Sequence, residues 1–399
     1  MDWHLITCEY PPRVGGVADH TRLVASGLAA EGDRVCVWCP AAEGEAPGAE
    51  GGVSVRRELG SLRPSDLRRA GRALNEFNAP RRLLVQWVPH GYGYRSMNVW
   101  LCLWLWARAF LRGDEVTLVV HEPFLAFGEG SRRQDAVALV HRVMTTLLLS
   151  SARRVWTTIP KWEERWRPYT LGRRVPFGRL PVPSTTPVTA SAEEASTTRA
   201  LYAPAGVALV GHFGTYGELI AGTLRELLPR LLSAEETGCA VLLIGQGSEA
   251  MREELLRARP ELSGRIHAAG TLAPEALSRH LAACDLLVQP YPDGVSARRT
   301  SAMAGLAHGL AVVTTKGVLT ESLWEESGAV ALAPAGDVGA LLDEVRRLLA
   351  SPESRAPLGD AARKLYRERF DLSHTVASLR RAADERAEAA HAVGAGAEA

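Results

Sequence analysis

Two successive series of short apolar runs and longer amphipathic segments dominate this 399-residue sequence. In the first series, strand-like runs such as WHLITC and RVCVWC alternate with segments whose apolar residues recur at the helical period. The second series begins after residue 200 and repeats the alternation from GVALVGHFG to LAVVTTKG. Strands separated by helices form parallel sheets with both faces covered, so the sequence predicts two α/β domains.

The expected elements follow this alternation along the chain. Further strands of the first series are expected at 82–88, 115–121 and 154–159, with helices near 66–78, 97–112 and 134–151. Helices of the second series are expected near 217–233, 249–258, 274–283 and 297–308. Doubly wound domains bind ligands at the carboxyl ends of their strands. We therefore expect the binding site in a central cleft that both domains face.

A stretch rich in Pro, Ser, Thr and Ala separates the two series. Residues 181–199 contain almost no large apolar side chain, which indicates an exposed connection. We place the boundary at residue 185, which gives an N-terminal domain of residues 1–185 and a C-terminal domain of residues 186–372. Residues 373–391 have a helical composition, and residues 392–399 are expected to fray.

Charge, cysteine usage and hydropathy exclude several classes of protein. The 46 Lys and Arg side chains nearly balance the 45 Asp and Glu, so no overall positive field attracts nucleic acid. The six cysteines lie mostly in apolar runs and are expected to be buried thiols. The N-terminus has no signal-peptide pattern, and the apolar window 97–112 is broken by Arg108 and shorter than a span of ~20 residues. These features favour a cytoplasmic protein.

A pair of glycines, Gly15 and Gly16, follows the first predicted strand and precedes the first helix. The free backbone N–H groups of a helix N-terminus can receive an anion. A tight turn that needs positive φ explains the glycines equally well. The neighbouring Asp19 and His20 are expected to be helix caps or surface residues.

His121 ends an apolar strand, EVTLVVH, so its imidazole is expected at the strand's carboxyl end. That position favours contact with a ligand, and a hydrogen-bonded structural histidine is the alternative. His4 and His141 have no comparable placement and are expected to be structural.

The densest polar group lies in the segment 289–317. A helix that begins near residue 296 or 297 would carry Arg298 and Arg299 in its first turn. Cations oppose the positive end of a helix unless an anion lies there, so we expect a phosphate at this point. Exposure to solvent or pairing with a nearby carboxylate is the alternative. The loop HFGTYGE also connects a predicted strand to a predicted helix, and it places Gly214 and Thr215 between them.

These motifs, in this order, resemble the retaining glycosyltransferases of the GT-B fold, in the large group numbered family four. The resemblance covers nearly the whole chain and is carried by the segments PPRVGGVADH, VGHFG, LIGQGSE, AAGTL, ACDLLVQPYPDG and GLAVVTTKG. It implies two Rossmann-like domains that clamp a nucleotide-sugar, with a final helix that packs back toward the N-terminal domain. It also implies transfer of the sugar to an acceptor hydroxyl with retained configuration, with the nucleotide-sugar as co-substrate and no cofactor or bound metal.

The resemblance assigns roles to individual residues. Gly15 and Gly16 match a turn near the donor diphosphate and sugar, and His121 matches a histidine that faces the donor sugar. The remaining matches are in the second domain: a turn that reads the nucleotide base, and a loop over the diphosphate and sugar. These are Gly270, Thr271 and Leu272 for the base, and Gly294, Val295 and Ser296 for the diphosphate and sugar.

The sequence departs from the family at the charged positions. Its paired glutamates fall on Asp293 and Ser301, so Asp293 would bind sugar hydroxyls, and Ser301 or Thr300 would take the ribose. The family's Arg and Lys after the first strand of the second domain fall on His212 and Gly217. We expect Arg298 and Arg299 to replace them by neutralising the diphosphate from the opposing loop.

Two other hypotheses about the function stay open. The first is a GT-B scaffold without turnover that serves as a binding or regulatory partner, which the missing Glu and Lys favour. The second is a Rossmann oxidoreductase, but the first strand is not followed by a full G-x-G-x-x-G.

The acceptor side is expected in the aromatic segment 86–106 of the first domain. There, side chains could stack on the sugars of a glycan or a lipid-linked acceptor, or rest on the inner face of a membrane. Trp100 and Trp104 are expected to be core residues, while Tyr92 and Tyr94 stay open. The expected pathways are bacterial glycan, polysaccharide or natural-product biosynthesis.

Overall fold

The computed structural model describes residues 1–13, 15–41, 49–128, 130–233 and 238–397. The chain divides into two compact units: unit 1 comprises residues 1–181 and 372–399, and unit 2 comprises residues 182–371. The division falls four residues before the expected boundary at 185.

Unit 1 is built on an eight-stranded sheet with the order β3-β4-β2-β1-β5-β6-β7-β8. All neighbouring strands are parallel except β3, a two-residue strand that is antiparallel to β4. The strands are β1 (Asp2–Ile6), β2 (Arg34–Trp38), β3 (Ala49–Glu50), β4 (Val53–Arg56), β5 (Arg82–Trp87), β6 (Glu115–Val120), β7 (Ala152–Thr157) and β8 (Phe177–Arg179). The helices are α1 (Gly16–Ala30), α2 (Pro64–Leu74), α3 (Val99–Arg112), α4 (Arg132–Ser151), α5 (Pro160–Trp166) and α14 (Leu372–Ala397).

Unit 2 is built on a six-stranded parallel sheet with the order β11-β10-β9-β12-β13-β14. The strands are β9 (Ala208–Phe213), β10 (Cys239–Ile244), β11 (Ile266–Ala268), β12 (Leu286–Gln289), β13 (Ala311–Lys316) and β14 (Ala331–Pro334). The helices are α6 (Ala192–Ala200), α7 (Glu218–Ser233), α8 (Ser248–Ala258), α9 (Pro274–Ala282), α10 (Thr300–His308), α11 (Leu323–Glu326), α12 (Val338–Ala350) and α13 (Pro352–Arg369).

The strand β10 shows why these apolar runs form covered sheets. Val241 and Leu243 pack with the helices on one face, whereas Leu242 and Ile244 belong to the core on the other face. Side chains alternate between faces along a strand, so a continuously apolar run is stable only when both faces are covered. The prediction of two doubly wound α/β domains is therefore confirmed. All six cysteines are buried, as expected.

The connection between the series differs from the expected exposed linker of residues 181–199. Ser184 and Thr186 are buried, and α6 begins immediately after Ser191. The Ser191 hydroxyl accepts a hydrogen bond from the amide of Glu194, whose carboxylate accepts one from the amide of Ser191. This capping box starts a helix in a segment whose composition alone indicates a loop.

The last helix, α14, packs against α1 in unit 1. The side chains of Leu372 and Val376 lie against Gly27, and Arg380 forms an ion pair of 2.5 Å with Glu31. The backbone is helical through residue 397, although residues 392–399 are expected to fray. Alanine is the strongest helix former, and this segment is rich in it. None of the helices in the described part of the chain combines the length and the hydropathy that a transmembrane segment requires.

Candidate functional site

The candidate residues of unit 2 follow the carboxyl ends of β9 to β12. β9 pairs with β10 on one side and with β12 on the other. The chain therefore leaves β9 and β12 in opposite directions across the sheet, which opens a crevice beyond their carboxyl ends. The loops after these two strands carry Gly214 and Thr215 on one side, and Asp293 to Arg299 on the other.

Asp293 lies between two guanidinium groups in the loop after β12. Nη2 of Arg298 donates to one carboxylate oxygen at 2.6 Å, and Nη2 of Arg299 donates to the other. Carboxylate pairing, the alternative that the sequence left open, is thus what the structure shows. Two cations and one anion leave this group with one excess positive charge, in side chains that are only about a fifth to a quarter exposed.

The helix after this loop begins later than expected. α10 starts at Thr300, and Arg299 is its N-cap residue. The chain makes a turn before it, where the amide of Ala297 donates to both carboxylate oxygens of Glu321 at 3.2 Å. The expected start at 296 or 297 is therefore wrong, and both arginines precede the helix instead of lying in its first turn.

Tyr291 connects Arg299 to Ser301. The guanidinium carbon of Arg299 lies 4.6 Å from the centre of the tyrosine ring, and the Tyr291 hydroxyl lies 2.7 Å from the Ser301 hydroxyl. Burial raises the pKa of Tyr291 to about 12, so its hydroxyl is neutral. The sequence did not single out this residue. The feature that could have identified Tyr291 as a site residue is its place directly after a strand and before the Asp-Gly turn.

The loop of Gly294, Val295 and Ser296 is tightly packed. Gly294 has φ +87°, and a Cβ atom there would lie 2.2 Å from Oγ1 of Thr320. Val295 is fully buried in the core and its amide donates to the carbonyl of Thr315. Its assignment to the donor is therefore wrong as a direct contact. Ser296 is also buried, and its hydroxyl makes no hydrogen bond to a described residue.

The glycine turns after β9, β10 and β11 adjoin one another. The Gly245 amide donates to the carbonyl of Gly270 at 2.8 Å, and a Cβ atom on Gly245 would meet the carbonyl oxygen of Gly214. A Cβ atom on Gly214 would lie 3.8 Å from Oγ of Ser301. Close approach of backbone thus explains Gly245, whereas positive φ explains Gly214 and Gly270. Of the side chains beside them, Thr215 and Thr271 are exposed and Leu272 is half-buried.

His212 does not replace the arginine that the resemblance implies at its position. The ring is buried, and its Nδ1 lies 2.8 Å from the carbonyl oxygen of Val288. Burial lowers the pKa of His212 to about 4, so the side chain is neutral at pH 7. The loop after β12 itself carries two cations, Arg298 and Arg299.

In unit 1, His121 follows β6 and is held by a glutamine. Its Nε2 lies 2.7 Å from Oε1 of Gln86, so Nε2 carries the proton and Nδ1 is left as an acceptor. Burial, and then the neighbouring His20, lower the pKa of His121 well below its usual value. The imidazole is therefore neutral at pH 7.

His20 is part of the same cluster, which corrects the expectation of a cap or surface residue. Its ring packs edge-on against that of His121, with centroids 4.7 Å apart. It is 1% exposed, and burial lowers its pKa to about 4. The sequence contained an indication that His20 is buried, because His20 and the buried Val24 are four residues apart and share one face of α1. Asp19, on the neighbouring face, is half-buried, and burial raises its pKa.

The N-terminus of α1 is already occupied by a carboxylate of the same chain. Oε1 of Glu9 accepts hydrogen bonds from the amides of Val17 and Ala18, at 3.2 and 3.1 Å. Gly15 has an extended φ of 179°, so the expected positive-φ turn is wrong. A Cβ atom on Gly15 would collide with the Glu9 carboxylate, whereas one on Gly16 would meet nothing within 4 Å. The amides expected to receive the donor anion are thus bonded to Glu9.

The aromatic segment of unit 1 divides between core and surface. Tyr92 is fully buried and its hydroxyl donates to the carbonyl of Gln86 at 2.6 Å. Tyr94 and Trp100 are 42% and 55% exposed, so the expectation that Trp100 is a core residue is wrong. Trp104 is half-buried against Gly71.

His4 and His141 are buried and hydrogen-bonded, as expected.

The comparisons with known proteins agree with this architecture. Residues 206–351 match the family described as Glycosyl transferases group 1. Sucrose-phosphate synthase from Thermosynechococcus elongatus superposes with a TM-score of 0.75 at 17% identity, over 97% of this chain and 99% of that one. HepE from Anabaena, solved with UDP and glucose, gives 0.69 at 17% identity, over 96% and 99%.

A glycosyltransferase from Rickettsia africae gives a TM-score of 0.71 at 11% identity, over 96% of this chain and 98% of that one. Comparison of the sequence with curated proteins found no match. The residues described here include no group of three or more His, Cys, Asp or Glu side chains that could hold a metal ion. The chain thus has the GT-B fold, and residues 206–351 of its second unit match the family Glycosyl transferases group 1.

Proposed function

We propose that this protein transfers a sugar, a hexose or a close relative, from a nucleoside-diphosphate sugar to an acceptor hydroxyl, with retained configuration and without a metal ion, as in family four. The Asp293–Arg298–Arg299 group carries the proposal. It supplies excess positive charge beside the carboxyl ends of β9 and β12, which is where doubly wound domains bind nucleotides. Guanidinium groups bind phosphate oxygens through paired, charge-assisted hydrogen bonds.

The chemistry of such a reaction is mainly charge stabilisation. When the sugar leaves, negative charge develops on the diphosphate, and Arg298 and Arg299 would stabilise it. Asp293 would then exchange its guanidinium partners for hydroxyls of the donor sugar. The leaving phosphate would take the acceptor proton, so we assign no protein nucleophile.

His121 would position the donor sugar. Because Gln86 accepts from Nε2, the neutral ring presents Nδ1 as an acceptor for a sugar hydroxyl. Gly15 and Gly16 would contact the donor only if the Glu9 carboxylate moves from the amides of α1.

The remaining donor contacts are assigned to the turns of unit 2. Gly270, Thr271 and Leu272 would read the base with backbone groups, while Gly214, Thr215, Gly294 and Ser296 would surround the diphosphate. Thr300 or Ser301 would bind the ribose, although the Ser301 hydroxyl must share its bond with Tyr291. Since HepE was solved with UDP and with UDP-glucose, uridine nucleotides are the first donors to test.

The acceptor would be a glycan or a lipid-linked sugar at the inner face of the membrane, in bacterial glycan, polysaccharide or natural-product biosynthesis. An exposed apolar surface on α3 and α4 favours this. Trp100, Phe110 and Leu111 of α3 are 55%, 57% and 71% exposed, and Leu139 of α4 is 59% exposed. Such a surface, with Arg112 beside it, suits the boundary between lipid head groups and acyl chains.

Two observations favour the second candidate, a scaffold without turnover. The Glu9 carboxylate already accepts hydrogen bonds from the amides that a donor would use. His212 is neutral at the position where the family has a cation. Such a scaffold would bind no nucleotide-sugar at this site, or bind one without consuming it.

The test is donor turnover followed by NMR. Full-length protein is incubated with UDP-glucose and related donors, with and without EDTA, and the first sugar product is observed before it mutarotates. We expect slow release of UDP with the α-anomer, unaffected by EDTA. A β-anomer would refute retention, loss with EDTA would refute metal independence, and binding without any release would favour the scaffold.

A further inference from the structure

A second polar cavity of about 660 Å³ lies in unit 2, at the opposite edge of its sheet from the donor residues. Its lining includes Ala208, the first residue of β9, and Gly238 and Asp285, which directly precede β10 and β12. The donor residues follow the carboxyl ends of the same strands. A strand of six residues is about 20 Å long, so the cavity is separate from the donor site.

Three guanidinium groups from three helices meet in this cavity. Arg199 is on α6, Arg346 on α12 and Arg355 on α13, and the only carboxylate in the lining is Asp285. The lining therefore carries two excess positive charges. Its volume is within the range of small-ligand sites.

The three arginines differ in how far their donors are used. Arg199 donates to the carbonyls of Ala283 and Val207, at 3.0 and 2.6 Å, and lies 2.8 Å from Asp285. It is therefore held by the fold. Arg355 lies 3.9 Å from Asp285, which is longer than a hydrogen bond.

Arg346 and Arg355 keep donors that no described residue accepts. Nε of Arg346 and Nη1 of Arg355 make no hydrogen bond to the part of the chain that the structure describes, although Nη2 of Arg346 donates to the carbonyl of Arg230. Unsatisfied guanidinium donors next to excess positive charge are costly. An anion in the cavity would remove this cost.

We infer that this cavity binds a small phosphomonoester, a dianion whose charge equals the excess of the lining. Arg346 and Arg355 would bind its phosphate group, and Arg199 and Asp285 form part of the wall of the site. Phosphate oxygens accept paired, charge-assisted hydrogen bonds from guanidinium groups, and the several oxygens of one phosphate can bind two guanidiniums at once. The site is independent of the proposed transfer reaction.

The test is calorimetric titration of the full chain with inorganic phosphate and with glucose 6-phosphate, in 150 mM salt at pH 8. The wild type, R346A, R355A and the double variant are compared with R347A, an exposed arginine on α12 that pairs with Glu344. We expect saturable binding of at least one probe, weakened by about tenfold or more in each cavity variant, and unchanged in R347A. Thermal unfolding confirms that each variant is folded.

A second comparison separates this site from the donor site. R299A should leave binding of both probes unchanged. If both probes bind, the phosphate group alone is sufficient for binding. If only glucose 6-phosphate binds, the site also recognises the sugar. Absence of saturable binding by the wild type, equal binding by the double variant, or loss of binding in R299A would overturn the inference.

Discussion

The guanidinium of Arg299 lies over the ring of Tyr291, with its central carbon 4.6 Å from the ring centre, while its Nη2 donates to Asp293. Tyr291 is buried and its hydroxyl lies 2.7 Å from that of Ser301. The arginine is thus held from two sides before any ligand binds. Such preorganisation lowers the entropy lost when a phosphate is bound.

Asp293 competes with the diphosphate for both arginines, which predicts opposite effects on binding and turnover. In D293N the guanidiniums lose their carboxylate partner, so UDP should bind several-fold more tightly. Turnover of the donor should fall by about tenfold or more, because the sugar hydroxyls lose an anionic acceptor. Fluorescence-detected UDP binding and donor release measure the two effects. D343N, at an exposed position on α12, is the control, and weaker UDP binding in D293N would contradict the prediction.

The Tyr291–Ser301 hydrogen bond predicts a small stability effect and a larger functional one. Y291F removes the bond but keeps the ring under Arg299, so the free energy of unfolding should fall by only about 1 kcal/mol. Y291A also removes the ring and should weaken UDP binding further than Y291F does. Urea unfolding and UDP titration provide both values. Equal UDP affinity of the two variants would show that the ring does not hold Arg299.

The Glu9 cap on α1 makes the two adjacent glycines unequal. G15A should force the carboxylate off the helix amides and lower the free energy of unfolding by about 1 kcal/mol, as for a lost cap. G16A introduces a Cβ into open space at the first residue of α1 and should be neutral or stabilising. Thermal unfolding of both variants, with E9A as the reference, checks this. A G16A protein less stable than G15A would refute the prediction.

Buried neutral histidines predict loss of stability in mild acid. Burial lowers the pKa of His4, His20 and His212 from 6.5 to about 4. Between these values the unfolded chain binds more protons than the folded one, so stability falls as the pH drops from about 6.5 to about 4. Each histidine contributes on the order of 3 kcal/mol to this loss, at about 1.4 kcal/mol per pKa unit. Urea unfolding from pH 7 to pH 4 should show a shallower decline in H212N, and parallel curves would contradict the assignment.

Asp114 of unit 1 pairs with two buried arginines, so its replacement should be strongly destabilising. It is 1% exposed and accepts from Arg81 at 2.8 Å and from Arg108 at 2.5 Å. D114A leaves two guanidiniums without their counter-charge and should lower the free energy of unfolding by about 3–5 kcal/mol. D360N, at an exposed ion pair with Arg363, should change it by less than about 1 kcal/mol. Comparable losses in the two variants would contradict this.

Strand–helix alternation was sufficient to predict the fold, because a run such as that of β10 is stable only with both faces covered. It was insufficient where a local hydrogen bond decides the structure. The capping box of Ser191 and Glu194 starts α6 inside the expected linker, and the bonds from Ala297 to Glu321 delay α10 to Thr300. These depend on two side-chain positions and not on a period.

The candidate site shows the same limit. Strand ends located His121, Gly214 and Asp293, since parallel strands bring their carboxyl ends to one edge. Nothing in the local sequence indicated that Glu9 reaches the amides of α1, eight residues away along the chain. Val295 was assigned from its place in a motif, but a motif does not reveal that a side chain points into the core.

Calorimetric titration of UDP-glucose into the wild type, R299A and the control R347A tests whether the Asp293–Arg298–Arg299 group binds the donor diphosphate. If Arg299 binds the diphosphate, the wild type and R347A should each show one saturable site per chain. The affinity should be about tenfold to a hundredfold lower in R299A, which loses charge-assisted hydrogen bonds to phosphate. If the wild type and R299A bind UDP-glucose equally well, the Asp293–Arg298–Arg299 group is not the diphosphate site, and the proposed role of these residues in sugar transfer is wrong.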